Sequence, residues 1–180
     1  MSSLESSLTP TQTITTHNSD GSVAIHPSLP IVFSPLNPAG RSVEAGTVFT
    51  THSHPVVLDA DIDIQQHAEW IAAPNGFIPR DGALAVMNRF PPGAEVPVHR
   101  TQSIDFGVVV EGELELVFAD GGRKLFRRGD VIVQRETAHG WRNPSLEREA
   151  LAFFVAVAAQ PVRVGERVLG EELEALGMDR

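Results

Sequence analysis

A chain of 180 residues is long enough to bury one sizeable core. Its formal net charge of −9 argues against nucleic acid or an anionic membrane surface as the main partner. The absence of cysteine excludes disulfides, thiolate metal ligation and a cysteine nucleophile.

The first residues, MSSLESSLTPTQTITTH, carry neither a basic start nor an apolar stretch, so no signal peptide is read there. Residues 1–10 are Ser-rich and are expected to form a disordered tail. Thr11 to His26 reads as two short strands around Asn18-Ser19-Asp20-Gly21. Pro-rich sequence from His26 to Gly40 reads as an irregular wrap. Thr47 to Asp63 has strand-type residues interrupted by Pro55, which indicates an edge strand or two short ones. Gln65 to Ala73 reads as a helical turn or a loop.

The pattern then becomes regular. Ala83–Phe90 is a strand ended by Pro91-Pro92-Gly93. Strands follow at Glu95–Thr101, Asp105–Val110 and Glu113–Ala119, the last two joined at Glu111-Gly112. Arg123–Arg127, Val131–Gln134 and His139–Asn143 are further strands, and Glu149–Ala158 is a nearly continuous apolar one. Leu169, Leu173 and Leu176 have helical spacing and predict a short C-terminal helix over about 170–176. The longest apolar run, Ala150 to Ala159, is far short of the roughly 20 residues a membrane helix requires, so a cytoplasmic or otherwise soluble protein is expected. Many short strands punctuated by Gly and Pro indicate an all-β sandwich or barrel. One domain is expected: residues 11–82 as strands and wrap packed on a core of 83–160, and 161–180 as an extension.

Two spaced motifs stand out. Gly93 is followed after five residues by His99, Arg100 and Thr101, then after three by Asp105 and after six more by Gly112. Further on, Gly129, His139 and Asn143 form a second set. The first run resembles the cupin motif G-x5-H-x-H-x3,4-E-x6-G with its spacing kept. The second resembles the ends of G-x5-P-x-G-x2-H-x3-N. Gln134-Arg135-Glu136-Thr137 replaces the Pro-x-Gly turn, and the loop is one residue shorter. The resemblance covers residues 83–158 and implies a double-stranded β-helix, or jelly-roll, barrel. It also implies a site inside that barrel, a small-molecule substrate and a homodimer.

Strand alternation places side chains two apart on one face. His99 and Thr101 then look the same way, as do Asp105 and Gly107, and as do His139, Trp141 and Asn143. Val109, Leu114 or Glu115, Val133, and Phe153 or Phe154 should fill the interior. His99, Asp105 and His139 are the candidate catalytic residues and the candidate ligands for a divalent metal. Two imidazoles and a carboxylate suit Fe, and Zn, Mn or Ni are chemically acceptable. Thr101 stands where the family has a second His, and its hydroxyl is a poor ligand. The metal-free alternative is an acid–base pocket built from the same three residues.

Thr101 and Asn143 are expected to line the pocket. Trp141 suits either core or substrate platform, and Arg135 either a carboxylate clamp or the surface. His52 and His54 form half a metal site without a third ligand nearby in sequence, and Asp59, Asp61 and Asp63 read as a solvated strand edge. The functional expectation is a small-molecule enzyme of secondary or aromatic metabolism, of dioxygenase, decarboxylase, dehydratase, isomerase or cyclase type. A ligand-binding or sensor module is the non-catalytic alternative, and a storage protein fits the short single-barrel chain poorly.

Overall fold

A computed structural model describes residues 10–27, 29–36 and 43–177. The Ser-rich tail expected at residues 1–10 lies outside the described residues except for Pro10. An antiparallel hairpin, β1 (Ile14–His17) and β2 (Val23–His26), closes over the Asn18–Ser22 turn as its sequence predicts. The Pro-rich stretch contributes β3 (Phe33–Pro35), followed by β4 (Glu44–Thr51).

Asp59, Asp61 and Asp63, read as a solvated strand edge, lie instead in a 3-10 turn, Asp59–Asp61, and in α1 (Ile62–Ala72), into which that turn runs. The helix takes in most of the stretch read as a helical turn or a loop. Its first turn carries Asp63, which complements the positive helix end. Ile64 and His67, three apart, are its buried residues, so one narrow stripe docks it on β4.

Nine strands follow: β5 (Ala83–Phe90), β6 (Glu95–His99), β7 (Ser103–Glu111), β8 (Glu113–Phe118), β9 (Arg123–Arg127), β10 (Val131–Arg135), β11 (His139–Arg142), β12 (Ala150–Ala158) and β13 (Arg163–Val164). The last, β14 (Arg167–Val168), pairs with β13. A six-stranded sheet has the order β10-β7-β12-β5-β4-β3, and a four-stranded sheet the order β6-β11-β8-β9, all antiparallel. The fold is the expected all-β jelly roll, built as two facing sheets rather than one closed ring of hydrogen bonds.

The apolar strand β12 is central, hydrogen-bonded to β5 on one side and β7 on the other, which explains its near-continuous hydrophobicity. Between the sheets pack Phe90, Val109, Ile132, Ala152 and Phe154 from one, and Val96, Leu114, Leu116 and Trp141 from the other. Val109, Leu114 and Phe154 therefore lie inside as expected. Val133 does not: it is 55% exposed, and its neighbours Ile132 and Gln134 point inward. Valine and isoleucine serve either face of a strand equally well, so composition leaves this register open.

The expected C-terminal helix is a single 3-10 turn, Glu174–Leu176. Leu173 and Leu176 are buried against the core, while Glu172 pairs its backbone with Arg100. Leucine spacing marked the buried positions, but the chain there runs partly extended.

Gly107 lies opposite Phe154 across the β7–β12 pairing, and a Cβ at Gly107 would enter the Phe154 ring. Gly107→Ala is expected to destabilise the protein by about 1–3 kcal/mol, and urea unfolding measures it. A pairing that kept its register without displacing Phe154 would leave the midpoint unchanged.

Candidate functional site

The β6–β11 pairing sets His139 directly opposite His99. Both are buried, and their ring centroids are 4.6 Å apart. Trp141 packs edge-on to His139 at 5.6 Å and against Phe154 at 5.3 Å, so indole and phenyl rings close the site from the core. Of its two expected roles, Trp141 takes the core one.

Hydrogen bonding assigns the His99 proton and frames the His139 ring. His99 Nδ1 lies 2.8 Å from the Pro97 carbonyl, which can only accept. Nδ1 therefore carries the hydrogen and Nε2 keeps its lone pair. At His139 two groups compete for Nδ1. The Gln134 amide nitrogen lies 2.8 Å from it and also donates to the Thr137 carbonyl at 2.7 Å, with the Thr137 hydroxyl 3.0 Å away. The Thr137 carbonyl itself lies 2.9 Å from Nδ1. Nδ1 can therefore accept from the amide or donate to the carbonyl, and His139 can present a donor or an acceptor at Nε2 opposite the acceptor of His99.

Burial lowers the pKa of His99, with the Pro97 carbonyl opposing the shift. Burial first, then the neighbouring His99, push the His139 pKa down to about 4. The Thr137 carbonyl, 2.9 Å from Nδ1, would support the cation but is outweighed. At neutral pH both rings are uncharged.

On β7, Ser103 Oγ lies 2.6 Å from Asp105 Oδ1 and 2.8 Å from Thr101 Oγ1. Ser103 has one hydroxyl proton. When it donates to the ionised Asp105, Thr101 becomes the donor to Ser103. The strand of His99 ends at that residue, and Thr101 reaches this row from the loop beyond it. Burial raises the Asp105 pKa to about 6, with the Ser103 hydrogen bond pulling the other way. Asp105 and Gln134 are register partners on β7 and β10, so their side chains are neighbours on the inner face. Gln134 in turn reaches His139. In this way β7, β10 and β11 link the carboxylate to the histidine pair.

Two expected residues are placed elsewhere. Arg135 is exposed, on the opposite face of β10 from Gln134, and so stands away from the pocket. Asn143 is fully buried, but its Nδ2 serves the carbonyls of Phe90, Pro91 and Arg148, while Oδ1 accepts from the Ser145 amide. It is a loop clamp. Three polar residues were not foreseen: Ser103, Gln134 and Glu136. Glu136 has φ +49° and is buried. Its amide donates to the Ser103 carbonyl and its Oε2 accepts from the Val162 amide. These bonds hold the turn in a backbone conformation that glycine would adopt freely. Strand alternation carried back from His139 points not to Gln134 but to Arg135 and Val133, which face outward, because the turn at Glu136 breaks the period.

The donor set does not fit a three-ligand metal centre. Among the described residues no three His, Cys, Asp or Glu side chains are placed to hold an ion together. Asp105 and Thr101 are both engaged with Ser103.

The cupin domain family matches residues 86–156. The chain is 40% identical over 162 residues to oryzines biosynthesis cluster protein J of Aspergillus oryzae, covering 89% of each. It is 36% identical over 172 residues to phomopsin biosynthesis cluster protein D of Diaporthe leptostromiformis, covering 95% of this chain and 89% of that one. It is also 42% identical over 96 residues to the cupin-domain-containing oxidoreductase srdD of Neurospora crassa, covering 53% of this chain and 47% of that one.

Two measurements check the site. Asn143→Ala leaves buried carbonyls without donors and is expected to lower stability by about 2–4 kcal/mol, read by urea unfolding. Asp105 ionises near 3.8 when unfolded and near 6 when folded, so the folded chain holds the extra proton between those values. Stability from this group is therefore lost as pH rises from about 4 to 6, by roughly 3 kcal/mol at most. Asp105→Asn should be more stable than the parent at pH 7.5, with the gain shrinking toward pH 4. A gain independent of pH would contradict the assignment.

Proposed function

Because the chain belongs to the cupin family, we propose that it is a small-molecule-modifying enzyme of secondary metabolism that moves protons without a metal. The observation that carries this reading is the buried His99–His139 pair, 4.6 Å apart and of lowered pKa, beside a carboxyl of raised pKa. His99 Nε2 takes a proton from carbon next to a substrate carbonyl. His139 Nε2–H donates to the carbonyl oxygen as negative charge develops there, a role suited to an imidazole that stays neutral. Protonated Asp105 returns a proton, either to another carbon, giving an isomer, or to a leaving hydroxyl, giving water and an unsaturated product. Atoms and electrons balance without an oxidant.

The relatives' biosynthesis-cluster names support the substrate class, a small secondary metabolite. The names of the oxidoreductase relatives favour a second reading, oxidation or reduction of the same class of compound in the same pocket. That reading requires turnover to cease when oxygen and added cofactors are withheld, whereas proton transfer continues. The expected homodimer is supported by an outward apolar row, with Phe106, Val131 and Val133 exposed, and light scattering measures it.

With a substrate accumulated by deletion of the gene, His99→Ala is expected to lower kcat by about 100-fold or more. The profile of kcat/KM against pH should fall above about 6 as Asp105 loses its proton. Unchanged turnover in both His99→Ala and His139→Ala would remove the enzyme reading of this pocket. Weakened binding of a compound that is never converted would favour the sensor reading.

A further inference from the structure

A cavity of about 690 Å³ lies away from the paired histidines, walled by the end of β4, α1, the 75–81 loop and the ends of β7 and β12. Its volume is within the range of small-molecule sites. Gln102 lines it, while the flanking Thr101 and Ser103 are buried and bonded to each other. The two sites thus use opposite sides of one short segment.

The back wall is built of polar groups buried at some cost. His52 Nε2 lies 3.2 Å from Thr50 Oγ1, which lies 3.2 Å from His67 Nδ1. Thr50 is 0% exposed and His67 1% exposed. The Thr50 amide donates to His67 Nδ1, so that nitrogen accepts and the row is consistent as His52 to Thr50 to His67. Phe49 stacks on His67 at 4.5 Å, and His52 meets Trp70 edge to face at 5.5 Å. A buried row of this kind adds little stability over an apolar core, but it fixes His52 and Trp70 at the cavity surface.

The front wall carries opposite charges. Arg80 and Asp81 both line the cavity, and among the described residues neither forms an ion pair. Glu171 adds a second carboxylate, and Trp70 and Phe77 add aromatic surface. A plain carboxylic acid would meet two acidic groups here, and a plain amine would leave the guanidinium without a counterpart.

We propose that this cavity binds a zwitterionic aromatic molecule, an α-amino acid or short peptide whose carboxylate pairs with Arg80, whose ammonium pairs with Asp81, and whose ring lies against Trp70. This assignment is independent of the acid–base reading of the His99–His139 pocket.

Fluorescence tests it on the full chain, since Trp70 is at the cavity and Trp141 is buried in the core. The probes are L-phenylalanine, the dipeptide L-phenylalanyl-L-phenylalanine, phenethylamine and 3-phenylpropionate. At least one zwitterion should bind saturably and about fivefold or more tightly than either half-molecule. Whichever zwitterion binds more tightly identifies the source as free amino acid or peptide. Arg80→Gln should erase the advantage over phenethylamine, and Asp81→Asn the advantage over phenylpropionate. Binding should persist in His99→Ala, which separates this site from the other pocket. The proposal is overturned if no probe saturates up to about 10 mM, if the half-molecules bind as tightly as the zwitterions, or if both substitutions leave the preference intact.

Discussion

Two imidazoles held 4.6 Å apart between apolar sheets can remain there only uncharged, and much of the local structure follows from that constraint. Trp141 packs on His139 and Phe154 packs on Trp141, and in these buried surroundings each Nδ1 takes a partner from the protein. For His99 the partner is its own strand, through the Pro97 carbonyl. For His139 both the Thr137 carbonyl and the Gln134 amide, from another strand, reach Nδ1. Gln134 is thus a polar side chain on the inner face of β10, where Ile132 packs into the core. The chain must then turn between Gln134 and His139 without the family's glycine. Glu136 does so in the left-handed region, tied to the Ser103 carbonyl and the Val162 amide. Ser103 is the same residue that holds Asp105.

This dependence explains which parts of the protein were legible in the sequence. Glycine and histidine spacing located β6, β7 and β11 and put His99 and His139 together, because strand periodicity and turn glycines are local properties. The register of β10 was not legible from Val131–Val133, since adjacent β-branched residues suit either face. It is decided by Gln134, whose partner His139 lies across a turn. Helix α1 was legible only as a helical turn or a loop over part of its length for a related reason: only Ile64 and His67 are buried, and a two-residue stripe gives little periodic signal. Asn143 matched a family position, but the sequence does not show that all its hydrogen-bonding capacity goes to loop carbonyls and an amide. Arg135 had suitable chemistry and stands on the wrong side of its strand.

The segment outside the motifs also changes what the molecule can do. β4 joins the six-stranded sheet through β5, and α1 docks on β4, which brings His52, Thr50 and His67 into line. Burial, followed by the proximity of His52, lowers the His67 pKa, so this imidazole too is held neutral. The protein therefore applies one physical device twice, desolvating and hydrogen-bonding an imidazole at two separate places.

The residues from Arg100 to Ser103 sit between these two places. Arg100 pairs with Glu172, and Gln102 donates to the Ala159 carbonyl, so the C-terminal segments are fastened to the same stretch whose inner side chains hold Asp105. Arg100 and Glu172 also exchange backbone hydrogen bonds in both directions. The same short stretch therefore carries a side chain of the outer cavity at Gln102 and, at Ser103, the hydroxyl that holds the Asp105 carboxyl pKa below where burial alone would put it.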